Sequence, residues 1–406
     1  MTVSNDRSAD GGQTRLRSLF ARTALIDRAV ARFAAGGIGP VPLPLAVIIA
    51  VFLVNGLCNI LAKAPPGFDD REQLTDMADW ALGYRGVQPP LHTWLIKLVD
   101  LVVQNDLAAV YSARAIVLCL LASTLYGIGR ALRLSREGAA AAAFGLFLMP
   151  PVGWEAQRAY SHSLSGMLFT ALFQLAMLML LRHQTRGSYA LAGASAALAV
   201  LGKYNGLIAL FGAAMAATAL PDLRGRFRLR GLGLATAVFL AVLAAPMVWL
   251  ASRLGTLDDS VGKFRIGAAE SLLADRLDGI IAFAGSCLAY AGPLLVVALG
   301  VWIVAQADGR ARRVASRELR SETRYLLAAI ASAFALALVL VLASGATAVK
   351  GYWLHPVLIT LPAAVAALLE ALDRTGWANR FVIFCALPLA LASVAAFVFR
   401  AFGIGV

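Results

Sequence analysis

The residues best suited to chemistry lie in one polar segment, 63–106, between two long apolar stretches. Five acids fall within eleven residues there, beginning with the adjacent pair Asp69 and Asp70. Carboxylates at this spacing are typical general acids and bases, and long polar loops in compact folds are usually functional. The alternative is that the pair solvates the loop or caps a helix at 71–82.

Aromatic, acidic and basic residues accompany this pair. The aromatic candidates for substrate contact in the same segment are Trp80, Tyr84 and Trp94. A further acid, Glu155, and the cations Arg158, Lys203, Arg265 and Lys350 lie in or beside other loops. Such cations can hold a departing phosphate, or they can anchor the ends of membrane spans by snorkelling. Glu155 is either a second acid of the site or a plain interfacial charge.

One arginine, Arg114, falls inside an apolar stretch. A charge within the membrane is costly and is usually paired, so a carboxylate of the loop at 63–106 is a candidate partner. Such a pair would be either structural or functional, and the sequence leaves both interpretations open.

Three histidines lie near one side of the predicted spans: His92, His162 and His355. With Asp69 or Glu155 they could form a divalent-metal site, but the sequence has no metal-binding motif such as HExxH. We therefore favour hydrogen-bonded polar histidines and leave a metal open. His162 is also a candidate for donor binding.

The elements that position these residues are apolar stretches of membrane-spanning length, because the chain of 406 residues is 60% hydrophobic and only 15% charged. This composition predicts an all-α, polytopic membrane protein with about eleven spans. The predicted spans lie at about 41–62, 107–129, 138–153, 164–181, 188–202, 204–220, 232–252, 278–305, 325–343, 353–372 and 381–400.

The net charge of +13 is a topology signal here. With the amino terminus in the cytoplasm, inner segments hold 23 Lys and Arg and outer segments hold 12, which fits the positive-inside rule. This orientation predicts a multi-pass protein of the cytoplasmic membrane. It places the acidic loop on the outer face.

We expect the chain to consist of two parts, residues 1–40 and residues 41–406. Residues 1–40 carry six arginines among apolar residues at helical spacing, which predicts a basic amphipathic segment on the inner leaflet or a solvated basic tail. Residues 41–406 form one membrane domain. The sequence has no phosphate-binding glycine motif after a strand, so nucleotide binding is not expected. We also expect no nucleic-acid partner, because the excess of basic residues is explained by topology.

The loop motifs resemble the first outer loop of GT-C polytopic glycosyltransferases, in the protein-mannosyltransferase-like branch that includes the lipid A aminoarabinose transferases. The segments that carry the resemblance are Gly67-Phe68-Asp69-Asp70-Arg71-Glu72-Gln73, Ala81-Leu82-Gly83-Tyr84 and Gln88-Pro89-Pro90-Leu91-His92-Thr93-Trp94-Leu95. Asp69 matches the family's aspartate, and Asp70 stands where glutamate is usual. The segments 154–158, 202–205 and 350–356 are similar to other family positions, although Ala159 replaces an expected aspartate.

The resemblance implies a GT-C-like fold with a helical first outer loop. It also implies transfer of a sugar from a polyprenyl-phosphate donor to an envelope glycolipid, polysaccharide or protein. Asp69, Asp70 or Glu155 would act as the base. Arg158, Lys203, Lys350 and His162 would contact the donor, and Trp80, Tyr84 and Trp94 would line the sugar site. No cofactor is certain, and a divalent metal is possible.

A transporter or flippase of lipid-linked sugars is the main rival, since it would use the same basic and aromatic residues without cleaving a bond. Transporters usually place charges at the midplane in broken helices. Here the acids cluster in a loop, which favours the enzyme. A membrane scaffold, the third alternative, requires no acid cluster.

Overall fold

The structure is a computed structural model that describes residues 24–62, 65–85, 88–253, 271–307, 319–373 and 375–403. These residues are almost entirely helical, and the described strands are the antiparallel pair Gly37–Ile38 and Val41–Pro42. The α-helices are α1 (24–35), α2 (Leu43–Leu61), α3 (Phe68–Asp76), α4 (Leu91–Val103), α5 (Asp106–Ala131), α6 (Arg136–Phe144), α7 (Pro150–Gly153), α8 (His162–Arg182), α9 (Arg186–Gly202), α10 (Gly206–Ala219), α11 (Leu229–Ala251), α12 (Leu272–Ala307), α13 (Ser321–Ser344), α14 (His355–Leu358), α15 (Leu361–Leu372) and α16 (Trp377–Phe402). Short 3₁₀ turns lie at Gly145–Leu148, Glu155–Gln157 and Gly351–Trp353.

Each of the eleven apolar stretches contains a helix, and the all-helical, multi-span prediction is confirmed. By length and composition, eight helices among the described residues can cross a membrane, or nine if one bent pair is a single span. The count of eleven is therefore not confirmed. The stretch predicted as two spans at 188–220 forms α9 and α10, which have 17 and 14 residues against the roughly 20 that a span needs.

The span predicted at 138–153 is not one continuous helix. The chain there forms two helical pieces, Arg136–Leu148 and Pro150–Gln157, which meet at an angle of 84°. Prolines at 150 and 151 explain the break, because proline lacks an N–H and disfavours a helical conformation in the residue before it.

The segment at 63–106, predicted as the first outer loop, is helical, as predicted, and contains α3 and α4. Both pack against α5, which also contacts α2 and α8; the end of the bundle at which α3 lies is called the site end. The backbones of α8 and α9 nearly touch, since a Cβ on Gly202 would lie 2.7 Å from the amide nitrogen of Gly166. Glycine at 202 therefore allows the close approach that places the next residue, Lys203, beside α8.

The opposite end of the bundle carries α1. Its Phe33 packs edge-on against Phe144 of α6, and Asp27 accepts two hydrogen bonds from Arg380 of α16, at 2.6 and 3.0 Å. Residues 1–23 of the predicted amphipathic segment lie outside the described residues. Its location on the inner leaflet stays a prediction.

Candidate functional site

The short helix α3 presents the two adjacent acids in different environments. Asp70 is 2% exposed and makes an ion pair with Arg114, which is 3% exposed within α5. Its second oxygen accepts the backbone N–H of Gly67 at 3.1 Å and so caps the start of α3. Arg114 therefore pairs with a loop carboxylate, and both oxygens of Asp70 are engaged in holding α3.

Asp69 faces another direction, because neighbouring residues of a helix point about 100° apart. Its side chain is partly buried, and within the described parts of the chain its carboxylate has no hydrogen bond or ion pair closer than 4 Å. Burial raises the pKa of Asp69 to about 6, and the charges of Glu72 and Asp70 add to this, while Arg114 and Lys203 oppose it. A carboxyl with this pKa accepts a proton readily near neutral pH.

Lys203 lies between α9 and α10, close to the acids. Its ammonium donates to Ser163 Oγ at 2.8 Å and to the carbonyl of Tyr352 at 2.9 Å, and it lies 4.9 Å from the Tyr352 ring centre. Burial lowers the pKa of Lys203 to about 7, and the charge of Asp69 partly opposes this shift. The described residues provide no acceptor for the third N–H of the ammonium, which leaves it available for an anion.

Gln73 connects α3 to two other helices. It is fully buried, its Nε2 lies 3.1 Å from His162 Nε2, and its Oε1 accepts the hydroxyl of Thr93 at 2.9 Å. Gln73 ends the motif at 67–73, but no role was predicted for it. Its position three residues after Asp70, on the same face of a helix, was the available signal.

A layer of polar residues beneath Arg114 was also missed. Asn55 Nδ2 donates to Gln157 Oε1 at 2.6 Å, and Asn59 Nδ2 donates to the Gln157 carbonyl at 3.1 Å. These side chains and Arg114 line a small cavity. Two asparagines four residues apart in an apolar stretch share a helix face, and this spacing predicts such a polar contact.

Aromatic rings form one wall near Lys203. The ring of Tyr160 lies 6.1 Å from that of Tyr352 and 5.3 Å from that of His355, measured between centres. The carbonyl of Tyr160 accepts a hydrogen bond from Arg114 at 3.4 Å. This wall thus connects the acid pair to the segment at 350–356.

Glu155 and Arg158 pair with each other. Arg158 Nη2 lies 3.2 Å from both Glu155 oxygens, and the two side chains are 37% and 42% exposed. Lys350 is exposed, with its ammonium 5.8 Å from the centre of the Tyr352 ring. These three side chains are thus more exposed than the buried pair of Asp70 and Arg114. Arg265 lies outside the described residues.

The predicted aromatic residues of the first loop gather around its turn. The Tyr84 hydroxyl donates to the Asp79 carbonyl at 3.0 Å, and Trp94 Nε1 donates to the Ala81 carbonyl at 2.8 Å. The polar atoms of both are thus used within the loop. Trp80 is 59% exposed, and its ring lies 5.0 Å from the Lys97 ammonium.

The described residues contain no group of three or more His, Cys, Asp or Glu side chains arranged to hold a metal ion. His92 and His162 lie near each other, with ring centres 6.1 Å apart, and the Nδ1 atom of His92 is buried without a hydrogen-bond partner among the described residues. Burial lowers the pKa of His92 well below its usual value, and the charges of His162 and Arg114 act in the same direction. His92 is therefore neutral at pH 7.

Comparison with known proteins finds similar sequences and a similar fold. A family model described as dolichyl-phosphate-mannose-protein mannosyltransferase matches residues 87–249. Two relatives from Rhizobium johnstonii are named lipopolysaccharide core galacturonosyltransferases. RgtB is 29% identical over 363 residues, which cover 86% of this chain and 72% of RgtB, and RgtA is 27% identical over 366 residues, covering 88% and 71%.

The fold is similar to that of a solved membrane protein. ArnT from Cupriavidus metallidurans, in a crystal structure bound to undecaprenyl phosphate, superposes with a TM-score of 0.59 at 14% identity, covering 88% of this chain and 77% of ArnT. Together with the sequence relatives, this likeness confirms the resemblance predicted from the first loop.

Proposed function

We propose, from the premise that the chain is a membrane glycosyltransferase of the GT-C type similar to the aminoarabinose transferases, that it moves a sugar from a polyprenyl-phosphate donor to an envelope glycolipid. The names of the relatives support the core of lipopolysaccharide as the first acceptor to test and a uronic acid as the first sugar. The lipid phosphate bound to ArnT supports the donor class. A polysaccharide or protein acceptor is the alternative.

In this mechanism Asp69 is the base. An acceptor hydroxyl gives its proton to the Asp69 carboxylate while its oxygen bonds to the anomeric carbon, and the bond from that carbon to the donor's phosphate oxygen breaks. Lys203 stabilises the negative charge on the departing polyprenyl phosphate. Asp70 and Arg114 position α3, and Asp69 with it.

The remaining candidates take outer positions in this proposal. Arg158 and Lys350 attract the anionic donor toward the site, and Trp80 offers an exposed ring for the sugar. Glu155 is the reserve candidate for the base. His162 does not contact the donor directly in this proposal. It begins α8, and the next residue, Ser163, accepts a hydrogen bond from the Lys203 ammonium.

The site would face the outer side of the cytoplasmic membrane. Residues 1–40 would lie at the inner leaflet, and residues 41–406 would form the membrane domain. The excess of basic residues in the inner segments supports this orientation.

The observation that carries the proposal is the contrast between two neighbouring carboxylates. Asp70 is fully engaged by Arg114 and Gly67, whereas Asp69 is partly buried, lacks a hydrogen bond within the described residues, and lies within electrostatic reach of Lys203. Only the second arrangement leaves an acid available to accept a proton.

The test compares Asp69→Asn with Asp70→Asn in purified protein in liposomes, with labelled polyprenyl-phosphate sugar and lipopolysaccharide core as acceptor. Asp69→Asn keeps the size of the side chain but removes the base, so transfer should fall by about 10²–10⁴ while donor binding and thermal stability persist. Asp70→Asn should instead lower stability.

Unchanged transfer by Asp69→Asn would remove this residue as the base, and Glu155→Gln would be tested next. A wild-type protein that moves intact donor between leaflets and forms no glycosidic bond would support the transporter. Mass analysis of envelope lipids from cells with and without the protein would identify the sugar and its acceptor.

A further inference from the structure

His355 is a buried polar residue that the mechanism above does not use. It begins α14, directly after the turn at Gly351–Trp353, and no part of its side chain is exposed. A fully buried imidazole needs partners for both ring nitrogens.

One of these nitrogens has a partner that fixes its protonation. Nδ1 of His355 lies 2.8 Å from the hydroxyl of Tyr290, which is also fully buried. The other neighbour of this hydroxyl is the thioether of Met167 at 4.0 Å, a weak acceptor. The tyrosine therefore donates to Nδ1, and the proton of the neutral ring is on Nε2.

The other nitrogen, Nε2, is buried and has no hydrogen-bond partner among the described residues. The ring that carries it belongs to the aromatic wall, next to Tyr160, and this wall continues to Tyr352, whose carbonyl binds Lys203. An uncharged N–H donor is thus held beside the lysine of the site without an acceptor.

We propose that His355 Nε2–H donates a hydrogen bond to an anionic oxygen of the lipid-linked donor held at Lys203, and that Tyr290 sets the tautomer that makes this possible. This inference rests on the proposed function, because that function supplies the anion. The oxygen belongs either to the phosphate or, for a uronic acid donor, to the carboxylate of the sugar.

Two substitutions separate this role from a structural one. Glutamine places its amide nitrogen near the position of Nε2, whereas asparagine places its amide near the position of Nδ1. A role in donor binding predicts that His355→Gln retains affinity and that His355→Asn loses about 10- to 100-fold, the value of a hydrogen bond to a charged group. A role limited to the Tyr290 contact predicts the reverse order, in affinity and in thermal stability.

The probes are undecaprenyl phosphate, undecaprenyl-phosphate glucose and undecaprenyl-phosphate galacturonic acid, each titrated into the full chain in nanodiscs. A loss in His355→Asn with all three supports contact with the phosphate, and a loss confined to the uronic acid supports contact with the sugar carboxylate. Tyr290→Phe should give a smaller loss with the same probe, because the ring can then adopt either tautomer.

Equal affinities for wild type, His355→Gln and His355→Asn would overturn the inference and leave the proposed function intact. The reverse order of the two variants would do the same. A wild-type protein that binds none of the three probes would overturn both.

Discussion

The two ends of the helical bundle treat their carboxylates differently. At the end that carries α1, Asp27 is bound by Arg380, Glu322 lies 3.3–3.4 Å from Arg182 and Arg133, and Glu370 accepts three hydrogen bonds from Ser135. At the site end, Asp70 is held in the same way, but the adjacent Asp69 is not. Carboxylates with partners join helices, whereas an acid left available near a buried lysine suits a reaction.

The largest expected effect comes from breaking the buried pair at the site end. Arg114→Met leaves Asp70 charged, buried and unpaired, so the free energy of unfolding should fall by about 3–5 kcal/mol. The matched control at the other end, Arg380→Met, breaks a more exposed pair and should cost about 1 kcal/mol. Unfolding of both variants in detergent measures the difference, and equal losses would contradict the contrast between the ends.

Two lysines sharpen the comparison within the site end. Lys203→Met should weaken binding of undecaprenyl phosphate by about 10- to 100-fold, because a buried ammonium bonds strongly to an anion. Lys350→Met should change it by less than about threefold, because Lys350 is exposed and screened by water. Titration of the lipid into nanodiscs checks both, and a larger effect at Lys350 would relocate the phosphate to the solvent side.

The pH dependence of transfer should report the ionisation of Asp69 and of Lys203. Asp69 acts when deprotonated, so kcat/KM should rise as pH increases through about 6. Lys203 acts when protonated, so kcat/KM should fall as pH increases through about 7. At about pH 5 the carboxylate is about one-tenth ionised, and the rate falls roughly in proportion.

Lys203→Arg gives the control for this profile. Arginine stays protonated at all relevant pH values. The alkaline limb of the profile should therefore move to higher pH, while the acid limb stays near pH 6. A profile that is flat between about pH 5 and 8 would contradict the assignment of both groups.

The smallest effect is expected at the opposite end. Glu322→Gln weakens contacts to Arg133 and Arg182, and Arg133 is 61% exposed, so the loss should be about 1 kcal/mol or less. Transfer should be unchanged. A drop in transfer at full stability would show that this end takes part in the reaction.

The sequence was most informative where the length of an apolar stretch decides the structure. Long apolar stretches predicted helices at nearly every position, because a chain in a membrane must satisfy its backbone internally. Where proline interrupts a stretch, as at 150 and 151, composition alone did not show the bend of 84°. The angle depends on packing against neighbouring helices.

For the site, the motif identified Asp69 and Asp70 but not their separate roles. The roles proposed for them follow from which one meets Arg114, and the partner, Asp70, lies 44 positions from Arg114 in the chain. Ser163 and Tyr160 joined the site through tertiary contacts that no local pattern encodes, whereas the spacing of Gln73 from Asp70 did place those two on one helix face. His355 was one of three histidines predicted near the outer face, but its partner Tyr290 lies in another helix and could not be predicted.

The short helices α9 and α10 have a consequence for the lipid around them. At 1.5 Å per residue they are about 26 and 21 Å long, less than the roughly 30 Å of a bilayer's hydrocarbon layer. If both helices cross the membrane, as the proposed topology requires, spans shorter than the layer are matched by local thinning of the bilayer. Head groups beside the turn at Lys203 would then lie deeper than elsewhere, and a phosphate on a polyprenyl chain would reach the lysine while its tail stays in hydrocarbon.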